Sequence, residues 1–210
     1  MICTAVLLAA GFCAYGQFEG EIIYEVKYES SDPSTQGYLS LLPSESTLTI
    51  KDVRSRFQQT IVGGAEQLVV TDARTGYSTL VMNFMGQKFQ VKMNADSLKT
   101  LRKNEPLRII ETEQTKEILG MVCKKALAIS GTDTMEVYFN QALHPYPMVP
   151  QLADVHGIPL EYTLLQNNIR MHFKAKKIVK SVVDPSVFEV SSDVREISFA
   201  QFAKSFALPK

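Results

Sequence analysis

Alternation is the feature that most restricts this chain. In FEGEIIYEVKYES, Ile22, Tyr24, Val26 and Tyr28 take one parity while Glu21, Glu25 and Lys27 take the other. That is the pattern of a strand with one face in a core and one in water. Leu80, Met82 and Phe84 alternate in YSTLVMNFMG, and Phe89, Val91 and Met93 do so in QKFQVKM, with Gly86 and Gln87 expected as the turn of a hairpin. Met135, Val137 and Phe139 repeat the pattern. So do Leu160, Tyr162 and Leu164 after a GIP turn, and Ile169, Met171 and Phe173 after Asn167 and Asn168. Strand after strand with short turns predicts a mainly antiparallel sheet.

Helical signals are few. NADSLKTLRKN offers Asn94 or Asp96 as a cap, with Leu98 and Leu101 on one side. In SFAQFAKSFALPK, Phe199, Phe202 and Phe206 fall at helical spacing behind Ser198, predicting an amphipathic closing helix. The tracts SSDPSTQGYLSLLPSES and NQALHPYPMVPQLADVHG read as loops or lids within a single domain.

Residues 1–16, MICTAVLLAAGFCAYG, carry no charged side chain, and their apolar run ends in the small residues Ala14 and Gly16. This reads as a secretory signal peptide cut before Gln17, leaving one β domain over 17–210 outside the cytoplasm, in the periplasm. The run falls short of the about 20 residues a membrane span requires. Cleavage removes Cys3 and Cys13 and leaves Cys123 alone, so the mature fold must stand on burial rather than on a disulfide. Twenty-two basic and 22 acidic residues cancel, and no overall field attracts nucleic acid. A monomer without a transmembrane span is expected.

Chemistry-bearing residues give little. Cys123 alternates with Met121 and Leu119 and is followed at the same parity by Leu127 and Ile129, with Lys125 interrupting that face. A bulge or a position near the rim would release the lysine and keep a structural thiol inside. The alternative, a cysteine nucleophile, wants a nearby base and an accessible setting, and no histidine is close in sequence. His144, His156 and His172 lack the spacing of a metal site; His172 takes the water-facing parity and the other two sit in the proline-rich loop. Glu111 and Glu113 share a strand face without further signal, and Lys174, Lys176 and Lys180 read as a solvated face. No cofactor or metal is expected, and no enzymatic activity.

FEGEIIYEVKY, ILGMVCKKAL, GIPLEY and AKKIVKSVVDPSVFEV, in that order, resemble bacterial envelope proteins of the LolA-like, outer-membrane lipoprotein carrier superfamily, near the GLPGLI-type and related domains of unknown function. Leu160 stands where GLPGLI-type members have a second glycine, which points to a sister family. The resemblance implies a strongly curved antiparallel sheet, an incomplete barrel, with a few short helices covering the concave face. In carriers of that fold the cavity holds acyl chains. If the alternating faces all point inward, the concavity is lined by Tyr24, Val26, Met82, Phe84, Phe89, Val91, Met93, Met121, Met135, Phe139, Tyr162, Met171 and Phe173. Methionines suit a pocket for flexible chains, yet the same residues would equally fill an ordinary core. The resemblance also implies that Arg56, an early-strand arginine, bonds helix backbone and holds a lid; read from the residue alone, an outward, solvated arginine is the expectation, since an unpaired buried charge is very costly. The expected function is binding or carriage of a lipid or lipoprotein acyl chain; the alternative is a structural or interaction protein of the envelope, with a filled core and an envelope protein as partner.

Overall fold

The computed structural model describes residues 18–60, 66–84, 87–97, 100, 107–144, 149–166, 168–191 and 193–205. The expected signal peptide, Leu98, Leu101, Phe206 and the side chain of Phe84 lie outside them. The strands are β1 (Gly20–Ser30), β2 (Glu45–Lys51), β3 (Arg54–Thr60), β4 (Glu66–Asp72), β5 (Tyr77–Phe84), β6 (Gln87–Met93), β7 (Arg108–Ile118), β8 (Met121–Ser130), β9 (Asp133–Asn140), β10 (Ile158–Gln166), β11 (Ile169–Lys180) and β12 (Arg195–Glu196). Among the described residues, the helices α1 (Pro33–Leu39) and α2 (Phe199–Ser205), helical residues at 95–97 and 100, and 3-10 turns at Pro150–Leu152 and Pro185–Phe188 accompany them. All 12 strands join one sheet in the order β12-β6-β5-β4-β3-β2-β1-β11-β10-β9-β8-β7, antiparallel throughout except that β12 runs parallel to β6. The expected mainly β, open and curved sheet is therefore what the chain forms.

The sheet curls toward its apolar face, as contacts between distant strands require. Phe57 on β3 and Phe173 on β11 lie three strand spacings apart, about 14 Å in a flat sheet, yet their rings meet with centroids 6.0 Å apart. Tyr24 on β1 donates a 2.8 Å hydrogen bond to Pro159 O on β10, reaching past β11. Bulges supply local twist. They lie at Ile23/Tyr24 against β11, at Pro159/Glu161 against β9, and at Glu111/Thr115 against β8.

Turn chemistry departs from expectation in three places. Gln87 pairs with Phe84 as the first residue of β6 and so belongs to the strand rather than to the turn, while Gly86 lies outside the described residues. Leu119 is not an inward strand residue: at φ 52°, beside Gly120 at φ 76°, it forms the exposed β7–β8 turn. And the first serine- and proline-rich tract contains α1, because Asp32 caps it by accepting from Ser34 N–H and Pro33 opens it. Asn168 turns the chain between β10 and β11 at φ 61°, as expected, and Asn167 lies outside the described residues.

Gly157, before β10, has no substitute. Its φ is 150° and a Cβ there would lie 2.9 Å from Asn140 O, a close approach that only glycine allows. Asn140 in turn accepts from Leu143 N–H and donates to Val122 O, both at 2.9 Å, and so sets the chain direction at the start of the covering loop.

The described parts of the proline-rich loop, 141–144 and 149–157, are the cover. Leu143, Val149, Leu152 and Val155 are buried in the main core with Ile22, Tyr24, Leu48, Val137, Phe139, Tyr162 and Phe173. Phe18 N–H donates to Leu143 O at 3.0 Å, and His144 Nε2 donates to Asp52 O at 2.5 Å. His144, read from the sequence as a residue of the proline-rich loop, is fully buried. A smaller cluster of Leu80, Val91 and Met93 lies toward the other end of the sheet, covered by Ile197, Phe199 and Phe202. Ser198 caps α2 by accepting from Gln201 N–H at 3.2 Å, as expected.

Candidate functional site

The concave face is the site to consider, and it has two filled ends with a seam between them. Tyr24, Val26, Met135, Phe139, Tyr162 and Phe173 are buried in the main cluster, and Met121 and Met171 pack against it. Val91 and Met93 are buried in the second cluster, where Met82 and Phe89 are half-buried. The center of the main cluster is aromatic. Tyr162 stacks on Phe173 at 4.6 Å with planes 6° apart, and Tyr24 meets both edge-on at 5.8 and 6.5 Å. Stacked and edge-on pairs of this kind contribute beyond their buried area. The Tyr162 hydroxyl is buried and finds no hydrogen-bond partner among the described residues. Burial pushes the Tyr162 phenol well above the ordinary tyrosine range, and that of Tyr24 likewise.

At the seam, where β3 and β4 face β10 and β11, a cavity of about 110 Å³ remains. Phe57, Val69, Tyr162, Leu164, Met171 and Phe173 form its apolar walls, Val149 and Gln151 come from the covering loop, and Gln59 and Gln67 add amides. An apolar void of about 150 Å³ accepts benzene, whereas pockets that enclose whole small molecules run to about 300–1,000 Å³. The seam therefore has room for the end of an apolar chain and not for the whole of one.

Cys123 is buried on this side of the sheet, with its thiol 3.6 Å from Met121 O. Burial first, then the Glu161 carboxylate, pushes its pKa up to about 11, against a smaller downward pull from Lys116. A thiol so placed is protonated and poorly nucleophilic. The parity shift expected at Lys125 is present, but it hands the buried positions to Ala126 and Ala128, leaving Leu127 and Ile129 half-buried. Lys125 escapes to the outer face, where Glu136 meets its ammonium at 2.5 Å and the Tyr138 ring lies 5.9 Å away. His172 also lies on the outer face, half-exposed, between Thr163 at 2.9 Å and Glu29 at 3.4 Å.

Arg56 does bond helical backbone, but from the other side of the sheet. It pairs across the ladder with Thr49, on the face opposite Leu48 and Phe57. Its Nη1 donates to Val187 O in the 3-10 turn Pro185–Phe188 at 3.2 Å, and its Nη2 to Gln58 Oε1 at 3.0 Å. What it fastens is a strap over the outer face and not the loop that covers the concave one. Sequence reasoning did not single out this strap; the Asp184-Pro185 pair, a cap followed by proline, was its available signal.

No helix among the described residues is long and apolar enough to cross a membrane. Nor do the described residues contain a cluster of three or more His, Cys, Asp or Glu side chains able to hold a metal ion.

No family model matches the chain, and no curated protein does. Solved structures share the fold. PNGF-II in its P21 crystal form aligns with 90% of this chain at 14% identity with a TM-score of 0.59, and its C2 form with 87% at 13% and 0.53. The chain spans about a third of PNGF-II, 33% and 32% of the two forms. Looser likenesses are to a conserved protein from Thermus thermophilus, at 11% identity over 86% of this chain and 91% of that one with a TM-score of 0.41, and to LprF from Mycobacterium bovis, at 9% over 81% and 90% with 0.32. At these identities the first likeness speaks to fold alone, and the last two are too loose to bear on function.

Proposed function

We propose that this is a LolA-like, extracytoplasmic binding protein whose concave face takes the apolar end of a lipidic or acylated ligand and performs no chemistry on it. One observation carries the reading: the apolar seam cavity between Phe57, Val69, Leu164 and Met171, at the edge of the covering loop. Its volume sets the mode of entry. A chain longer than a few carbons must displace Val149 and Gln151, so binding is coupled to movement of the loop. The thiol's burial and raised pKa favor a non-enzymatic role over cysteine catalysis.

A second reading, a filled structural module of the envelope, is favored by the same number, since about 110 Å³ lies below the usual ligand-pocket range of about 300–1,000 Å³. Binding experiments separate the two. Native mass spectrometry of gently purified protein should show a lipid adduct, and a fluorescent fatty acid should saturate at about one per chain. Leu164→Trp, which fills the seam, should abolish uptake while Lys174→Ala on the outer face leaves it intact. Neither adduct nor saturable uptake would leave the structural module standing.

A further inference from the structure

The outer face of the sheet carries a larger opening that the concave-face reading does not use. After β11 the chain turns back across β1–β3 as a strap. Arg56 holds Val187 O, Val183 N–H donates to Glu19 Oε1 at 2.7 Å, and the Arg54 guanidinium lies 4.9 Å from the center of the Phe188 ring. Between strap and strands lies a cleft of about 520 Å³, within the about 300–1,000 Å³ of small-molecule sites.

Its floor is a row running across three strands. Glu21 stands opposite Thr49, and Thr49 opposite Arg56, one strand spacing of about 4.8 Å at each step. Thr47 and Gln58 form the next row. Thr49 is 8% exposed, and its hydroxyl makes no hydrogen bond among the described residues, although a carboxylate and a guanidinium flank it. Gln58 spends its carbonyl on Arg56 and keeps its amide N–H groups. Glu45 is offset by Lys176 at 2.5 Å, and Asp184 caps its own turn by accepting from Ser186 N–H at 2.9 Å.

We infer that this cleft binds a saccharide-class ligand, a neutral compound with adjacent hydroxyl groups. A hydroxyl both donates and accepts, and the row presents an acceptor, an amphoteric hydroxyl and donors in succession. An inorganic or carboxylate anion suits it less, because the lining sets Glu21, Glu45 and Asp184 against the guanidinium of Arg56. An apolar ligand would strip water from the floor without replacing its hydrogen bonds.

Amide-detected NMR titration tests this with three probes, methyl glucoside, N-acetylglucosamine and cellobiose, taken to about 10 mM, where a millimolar site is largely filled. At least one sugar should shift amides at 47–49, 56–58 and 181–187 saturably. Thr49→Val, isosteric and still β-branched, should weaken that binding about tenfold, the worth of one hydrogen bond, and Glu21→Gln should weaken it independently of any change in fold. The inference is overturned if none of the sugars gives saturable shifts, if both variants bind as the parent does, or if inorganic phosphate moves the same amides while the sugars do not.

Discussion

Truncating Phe57 and Phe173 tests the curl of the sheet directly. Phe173 is buried and touches three other rings, so Phe173→Ala should cost about 3–5 kcal/mol, as for other core phenylalanines. Phe57 is half-buried, and Phe57→Ala should cost less, about 1–3 kcal/mol. The informative quantity is their coupling. With centroids 6.0 Å apart and planes at 62°, the pair should show about 0.5–1.5 kcal/mol of interaction energy in a double-mutant cycle. In a flat sheet the rings would be about 14 Å apart and the two losses would add. Urea unfolding with a common m-value provides the four stabilities. Because the double alanine variant sits near the limit of a typical domain's stability of about 5–15 kcal/mol, a parallel cycle with leucine keeps the test readable. Additivity within about 0.3 kcal/mol in both cycles would refute a concave apolar face.

Other outcomes follow from single groups. Tyr162→Phe removes a buried hydroxyl that has no partner among the described residues, so stability should hold or rise by up to about 1 kcal/mol; a loss of that size in thermal unfolding would mean the hydroxyl is bonded. Gly157→Ala places a Cβ 2.9 Å from Asn140 O at a φ of 150° and should cost at least about 1–3 kcal/mol, read as a lowered Tm. The Cys123 thiol is raised from 9.0 to about 11 on folding, so its contribution to stability is full below pH 9 and lost as pH climbs toward 11. Cys123→Ala should flatten that part of the stability profile, and native thiol labelling should be slow; fast labelling that persists below neutral pH would contradict a buried thiol. Glu19 is held below the ordinary carboxylate range first by Lys51 and then by the Val183 amide, so the strap's anchoring is intact above pH 4.5 and weakens as pH falls through the lowered value, which hydrogen exchange at Val183 would report.

Much of the sheet was legible because a strand with one buried face writes its parity into the chain. Ile22, Tyr24 and Val26, or Met135, Val137 and Phe139, cannot face the core without Glu25 or Glu136 facing water. Where both faces are half-buried that signal fades, as in RSRFQQT of β3, whose residues are almost all intermediate in exposure. Single turns were legible only where Gly or Asn held the positive φ. Leu119 hid one, since a leucine at φ 52° looks like one more member of an alternating strand; Cys123 keeps its expected buried place, and only past the shift at Lys124 and Lys125 do Leu127 and Ile129 leave the buried face.

Parity assigns a residue to a face but says nothing of what lies opposite it. That Phe57 meets Phe173 depends on the twist accumulated over β3, β2, β1 and β11, and on bulges whose positions no local pattern fixes. Enclosure is subtler still. The seam stays partly empty because the covering loop brings Val149 and Gln151 over it, where Leu152 and Val155 fill the neighboring space. A hollow of this size is a small difference between two large volumes, the curl of the sheet and the side chains sent to fill it, contributed by segments far apart in sequence. The outer cleft has the same origin. Glu21 reads as a water-facing strand position, Thr49 carries no signal of its own, and only the three-strand register together with the returning strap joins them to Arg56 as one surface.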